Sequence, residues 1–111
     1  MFNLKNILKT IIKNREIKKL AKQGCAKAQL NLGDMYSNGE GVEKNCKEAA
    51  KWYKKAADQG EVNAQFALAV MYYKGLGVQI NHSEAVKWWK KAADQGHSGA
   101  RYFLDKIKSQ D

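Results

Sequence analysis

The heptapeptide Lys54-Lys55-Ala56-Ala57-Asp58-Gln59-Gly60 recurs unchanged at Lys90-Lys91-Ala92-Ala93-Asp94-Gln95-Gly96, a shift of 36 residues. The same shift overlays most of the chain on itself. Upstream, Gly24 falls on Gly60, Ala28 on Ala64 and Ala100, Gln29 on Gln65, and Leu32 on Leu68 and Leu104. Tyr36 falls on Tyr72, Gly39 on Gly75, Gly41-Val42 on Gly77-Val78, Asn45 on Asn81, Glu48 on Glu84, Ala49 on Ala85 and Trp52 on Trp88. Ungapped self-similarity at this period marks an array of small supersecondary units.

Each unit reads as two helices. In the leading one, Ala28, Leu32 and Tyr36 are four apart and share a face. The spacing predicts a helix over about 25–38, recurring at about 61–74. The pairs Gly39/Gly41 and Gly75/Gly77 break it. The second helix opens at Asn45 and Asn81, good N-caps with Glu48 and Glu84 at capping-box spacing. Gly60 and Gly96 suit its left-handed end. Its inward stripe alternates tiny and huge residues: Ala49, Ala56 and Ala57 let helix axes approach, while Trp52, Tyr53, Trp88 and Trp89 fill the space between them. Neither helix buries its stripe alone, whereas stacked units do. The expected fold is therefore all-α, a helix-pair solenoid with two full repeats and partial capping helices.

The ends are partial units. Residues 97–111 match only a leading helix, with Ala100, Phe103, Leu104 and Ile107 expected inward and Arg101, Lys106 and Lys108 outward. Residues 15–24 align with a second helix, Ile17 under Tyr53 and Ala21 under Ala57. Ahead of them, residues 1–14 form a basic amphipathic helix. Leu4, Ile7, Leu8, Ile11 and Ile12 follow helical spacing on one side, and Lys5, Lys9 and Lys13 run down another. The first stripe points away from the Ile17/Leu20 stripe, so a break is expected near Asn14, unless the first stripe meets a partner of its own. Three readings stay open for it: a cap folded back on the first repeat, self-association, or interfacial contact with a membrane or acidic partner through Lys5, Lys9 and Lys13.

Charge follows the same division. The net charge is +9. Residues 1–22 hold seven basic side chains and one acid, so +6 of it lies there and only +3 is spread over the rest. Clustered lysines are the electrostatic footprint of nucleic-acid binding, but the repeats are only mildly basic and carry no nucleic-acid motif. The longest apolar run near the N-terminus, Ile11-Ile12, is too short for a secretory signal, and no stretch reaches the roughly 20 apolar residues of a membrane span. A cytoplasmic setting is expected.

Chemistry finds no constellation. Cys25 and Cys46 open successive antiparallel helices, so about 20 Å should separate them, far beyond the roughly 7 Å that a disulfide allows. His82 and His97 take the slots of Cys46 and Cys25 in neighbouring units, too far apart to share a metal. They are expected to be exposed polar residues near helix starts. No phosphate-binding glycine loop occurs. No metal, cofactor or catalytic residue is expected, and the chain reads as a non-enzyme.

The motif Ala28-Gln29, Leu32-Gly33, Tyr36, Gly39, Gly41-Val42, Ala49, Trp52-Tyr53, Ala56-Ala57 and Gly60 resembles the Sel-1-like repeat family, relatives of the tetratricopeptide repeats. The second copy departs mildly, with Ala69 for glycine and Trp89 for tyrosine. The resemblance covers residues 24–108. It implies a right-handed α-α superhelix acting as an adaptor or scaffold for protein complexes, and many bacterial members are tied to host contact or signalling. Units are expected at 25–60 and 61–96. Cysteine-rich secreted relatives staple each repeat with paired cysteines, a pattern missing here. Some relatives carry a β-lactamase label, but none of Ser37, Ser83, Ser98 or Ser109 has the lysine three residues on that Ser-x-x-Lys chemistry uses.

In related helix-pair repeats the leading helices line the concave face. The stripe predicted for partner binding runs through Lys27, Leu30 and Asp34, then Asn63, Phe66, Val70 and Tyr73, then Tyr102 and Lys106. Aromatic anchors within a polar rim suit a protein or peptide partner. Phe66 and Val70 are equally readable as packing residues, while Tyr73 is expected to be exposed.

Overall fold

The computed structural model describes residues 3–109. Met1 and Phe2, assigned above to the N-terminal helix, and Gln110 and Asp111, assigned to the C-terminal cap, lie outside the described residues. The described residues form six helices and no strand: α1 Leu4–Lys22, α2 Ala26–Asn38, α3 Cys46–Asp58, α4 Val62–Lys74, α5 His82–Asp94 and α6 Ser98–Ser109. Packing runs from each helix to the next in the chain, α1 on α2 through to α5 on α6. The result is an elongated array, 54 × 25 × 24 Å, in which each unit leans on its neighbours.

Local signals set the helix ends. Asn45 accepts from the Glu48 amide at 3.1 Å and Asn81 from the Glu84 amide at 3.0 Å. Gly39 and Gly75 end α2 and α4 in the left-handed region, at φ 73° and 74°, where a side chain would be strained. Gly60 and Gly96 follow the C-caps Gln59 and Gln95, both at φ 93°.

A glutamine clasp locks each junction. Gln29 donates to the Ala21 carbonyl at 3.2 Å, and its own carbonyl accepts from Gln59 Nε2 at 2.8 Å. Gln65 donates to the Ala57 carbonyl at 3.2 Å and accepts from Gln95 Nε2 at 2.9 Å. Gln59 and Gln95 also donate to the carbonyls of Gly24 and Gly60. Gln29 and Gln65 are buried, so these bonds satisfy amides whose isolation would be costly. They give a physical reason for the repeated glutamine in the motif.

The core follows the tiny-and-huge pattern. Ala49, Ala56, Ala64, Ala85, Ala92 and Ala100 are fully buried beside Tyr53, Trp88 and Trp89. A smaller cluster of Ala21, Ala28, Leu32 and Met35 joins α1 to α2, with Trp52 half-buried against it.

The N-terminus corrects one expectation. No break occurs at Asn14: α1 is one 19-residue helix capped by Asn3. Its sequence holds neither proline nor glycine, so nothing local interrupts it. The helix tolerates two apolar faces because neither is fully covered: on the second, Ile17 is half-buried and Leu20 is 37% exposed. Ala21 is buried against the first repeat, while Leu4, Ile7, Leu8, Ile11 and Ile12 stand in the open, Leu4 and Ile12 at 62% and 64% exposure. The reading of this segment as a folded-back cap is overturned.

Candidate functional site

The predicted stripe splits in two. In the first repeat Lys27 is exposed but Leu30 is 6% exposed and belongs to the core between α2, α3 and α4. Asp34 is open to solvent, yet its Oδ1 accepts a hydrogen bond from the Tyr53 hydroxyl at 2.6 Å. Burial, then this bond to a carboxylate, push the Tyr53 phenol pKa well above its ordinary value. The first repeat thus spends its stripe on its own packing.

The second repeat and α6 do otherwise. Asn63 is exposed, and Phe66 and Val70 are half-buried. Phe66 stacks on His97 with centroids 4.4 Å apart and leans on Phe103 at 5.9 Å. Tyr73, 36% exposed, stacks on His82 at 4.5 Å and meets Trp89 at 5.5 Å. Trp89 lies beneath, stacked on Phe103 at 5.2 Å. Tyr102, 56% exposed, sets its edge on Phe103 at 5.5 Å. Lys106 is exposed, with Nζ 5.7 Å from the Tyr102 ring centroid. The rings form one continuous layer, from His97 through Phe66, Phe103 and Trp89 to Tyr73 and His82.

Two of these residues, Phe103 and His97, depart from the sequence reading, while His82 is exposed as expected. Phe103, expected inward, is 38% exposed and joins the two halves of the layer. His97 is half-buried, and its Nδ1 accepts from the Ala100 amide at 3.0 Å as a helix cap. His82 remains exposed but is stacked rather than free. The overlooked signal lay in the repeat itself: the slot of Phe103 holds Asn31 and Ala67 in the preceding units, so a large ring there has no packing precedent.

Lys5, Lys9 and Lys13 are exposed on α1, far along the array from the aromatic layer. The shallow hollow beside Lys9, Ile12, Lys13 and Leu20 is the place where a full unit would carry a leading helix. Cys25 and Cys46 are free thiols. Among the described residues no group of three or more His, Cys, Asp or Glu could hold a metal ion, and no helix is long and apolar enough to cross a membrane.

The Sel1 repeat model matches residues 26–61 and 62–97. The chain belongs to the Sel1 repeat family. Solved structures of similar proteins agree. A Sel1 repeat protein from Oxalobacter formigenes is 38% identical with a TM-score of 0.82, over 83% of this chain and 69% of that one. A protective antigen present in uropathogenic Escherichia coli strains, displaying an SLR fold, is 37% identical with a TM-score of 0.86, over 90% of this chain and 21% of its own. Cysteine rich protein B of Helicobacter pylori is 31% identical with a TM-score of 0.78, over 82% of this chain and 68% of its own. No curated protein matches the chain. Sel1 repeats are typically protein-interaction modules, and the solenoid described above is their fold.

Proposed function

We propose that this Sel1 repeat chain is a non-enzymatic adaptor that holds a segment of a protein partner on the aromatic layer of α4, α5 and α6. The observation that carries the reading is that Tyr73, Tyr102 and Phe103 expose ring surface around a buried tryptophan. Rings already locked by stacking lose little freedom on binding, and aromatic anchors of this kind dominate interface energies. Asn63, Lys74 and Lys106 are exposed nearby and supply a polar rim. A cytoplasmic setting goes with this reading.

The test replaces Tyr102 with a photo-crosslinking aromatic in the native cell. A discrete protein adduct is expected, and Tyr73→Ala with Tyr102→Ala should weaken binding of that protein by more than about tenfold, the loss of a modest hot spot. Both side chains are exposed, so helical content should stay the same. Binding of that protein undiminished by the double substitution would defeat the assignment of this face.

A further inference from the structure

The stripe on α1 is an apolar surface that the described residues leave uncovered. At 100° per residue, Leu4, Ile7, Leu8, Ile11 and Ile12 share one side of the helix. The same side continues toward the C-terminal half as Arg15, Lys18, Lys19 and Lys22. One face therefore changes along its length, from wholly apolar to wholly basic, with no acid on it. Ala21, buried against α2 and turned well away from that side, ties the helix to the solenoid. Thr10–Lys22 occupies the slot of α3 one repeat earlier, so Leu4–Lys9 extends past the repeat by roughly 9 Å.

We infer that this face of α1 docks on an anionic lipid bilayer. The first three turns sink into the headgroup–acyl boundary, and Arg15, Lys18, Lys19 and Lys22 lie over the phosphates. Interfacial helices combine these two contributions, buried apolar area and attraction to acidic headgroups. Lys9 and Lys13, on the far side, stay in water, while Lys5 flanks Ile12 at the edge of the apolar side; all three add to the long-range attraction.

The alternatives fit the face less well. A second copy pairing stripe to stripe overlaps over Leu4–Ile12, roughly 13 Å of helix, too short to bury the about 1,200 Å² of a stable interface. A longer overlap sets cations on leucines if antiparallel, or cations on cations if parallel. A nucleic acid would answer the cations but leave the apolar side chains with no counterpart.

The test is sedimentation of the full chain with vesicles of phosphatidylcholine alone and of phosphatidylcholine with one-third phosphatidylglycerol. The chain should pellet with the anionic vesicles and stay in solution with the neutral ones. Leu8→Gln with Ile11→Gln should lower the partition at least about tenfold. Lys19→Gln with Lys22→Gln should lower it about 25-fold, about fivefold per cation. All four side chains are exposed, and circular dichroism checks that the fold persists. Tyr73→Ala with Tyr102→Ala should leave the partition unchanged, which separates this inference from the adaptor reading. Failure to bind anionic vesicles, or undiminished binding by the Leu8/Ile11 variant, would overturn it. So would a dimer in sedimentation equilibrium that this variant dissolves, without vesicle binding: the stripe would then belong to a second copy.

Discussion

The two repeats share a backbone plan but solve the same helix-to-helix contact in opposite ways. In the first, α3 presents Tyr53 to Gly33 and Asp34. The ring lies so close that a Cβ on Gly33 would sit 2.6 Å from Tyr53 Cδ1, and the hydroxyl finishes on Asp34. In the second, the equivalent slots hold Trp89, Ala69 and Val70. The glycine has gained a methyl, and the carboxylate has become apolar along with the ring that bonded it. The exchange leaves Trp89 Nε1 buried without a hydrogen-bond partner. Other slots shift the same way: Leu30 becomes Phe66, Ser37 becomes Tyr73, Glu40 becomes Leu76 and Lys44 becomes Ile80. The first repeat is closed and polar at its surface; the second is stickier. This difference supports the proposal that recognition lies in the second repeat, although both copies carry the same motif.

The strongest way to break the comparison is Trp89→Ala. The indole is 2% exposed and touches both Tyr73 and Phe103. Truncation should cost about 4 kcal/mol, the usual range for a buried tryptophan, and scatter the aromatic layer. Trp52→Ala, at the half-buried slot that Trp88 fills in the second repeat, should cost less than half as much. Urea unfolding of both variants measures the gap. Equal losses would mean that the layer contributes nothing beyond ordinary packing.

Much of this plan was readable before any coordinates. The caps Asn45 and Asn81 and the glycine stops act within a few residues, so local sequence determines them. Tyr102 is open although its slot holds the buried Leu30 and the half-buried Phe66 in the earlier units, and Tyr73 was rightly taken as open. Leu30 was not, since a helical wheel shows which side a residue occupies but not that the next unit covers that side. The break expected at Asn14 came from the same blindness. Two apolar faces on one helix look inconsistent until it is clear that the fold leaves the first open and covers the second only in part. Phe103 and the two histidines escaped notice because their role is mutual: each ring is positioned by a ring from another helix.

A finer test moves the second solution into the first repeat. Gly33→Ala alone pushes a methyl into the Tyr53 ring and should cost about 2 kcal/mol, in the range of overpacked cores. Adding Asp34→Val and Tyr53→Trp installs the trio that Ala69, Val70 and Trp89 already form. The triple variant should recover most of the loss, because neighbouring substitutions of this kind are strongly non-additive. Thermal melting of the single and triple variants decides. If the triple variant is no better than the single, the trios are not interchangeable and the equivalence of the repeats ends at the backbone.

The smallest effect should appear only in alkali and only in the first repeat. Tyr53 holds its proton more tightly in the folded chain than in the unfolded one, through burial and the Asp34 carboxylate. The stabilisation is therefore complete below the unfolded phenol pKa of about 10. It drains away as pH rises beyond that value, because the unfolded chain then ionises while the folded one resists. Tyr53→Phe removes both the hydrogen bond and the titrating group. Near neutrality it should cost about 1 kcal/mol, since the exposed Asp34 carboxylate regains water. Above about pH 10 the gap between wild type and variant should narrow. Trp89 cannot ionise, so the second repeat contributes nothing similar, and Trp89→Phe should shift stability by a constant amount across the same range. A Tyr53→Phe difference that stays flat through pH 10–11, measured by urea unfolding at each pH, would mean that the phenol is not held as the Asp34 contact requires.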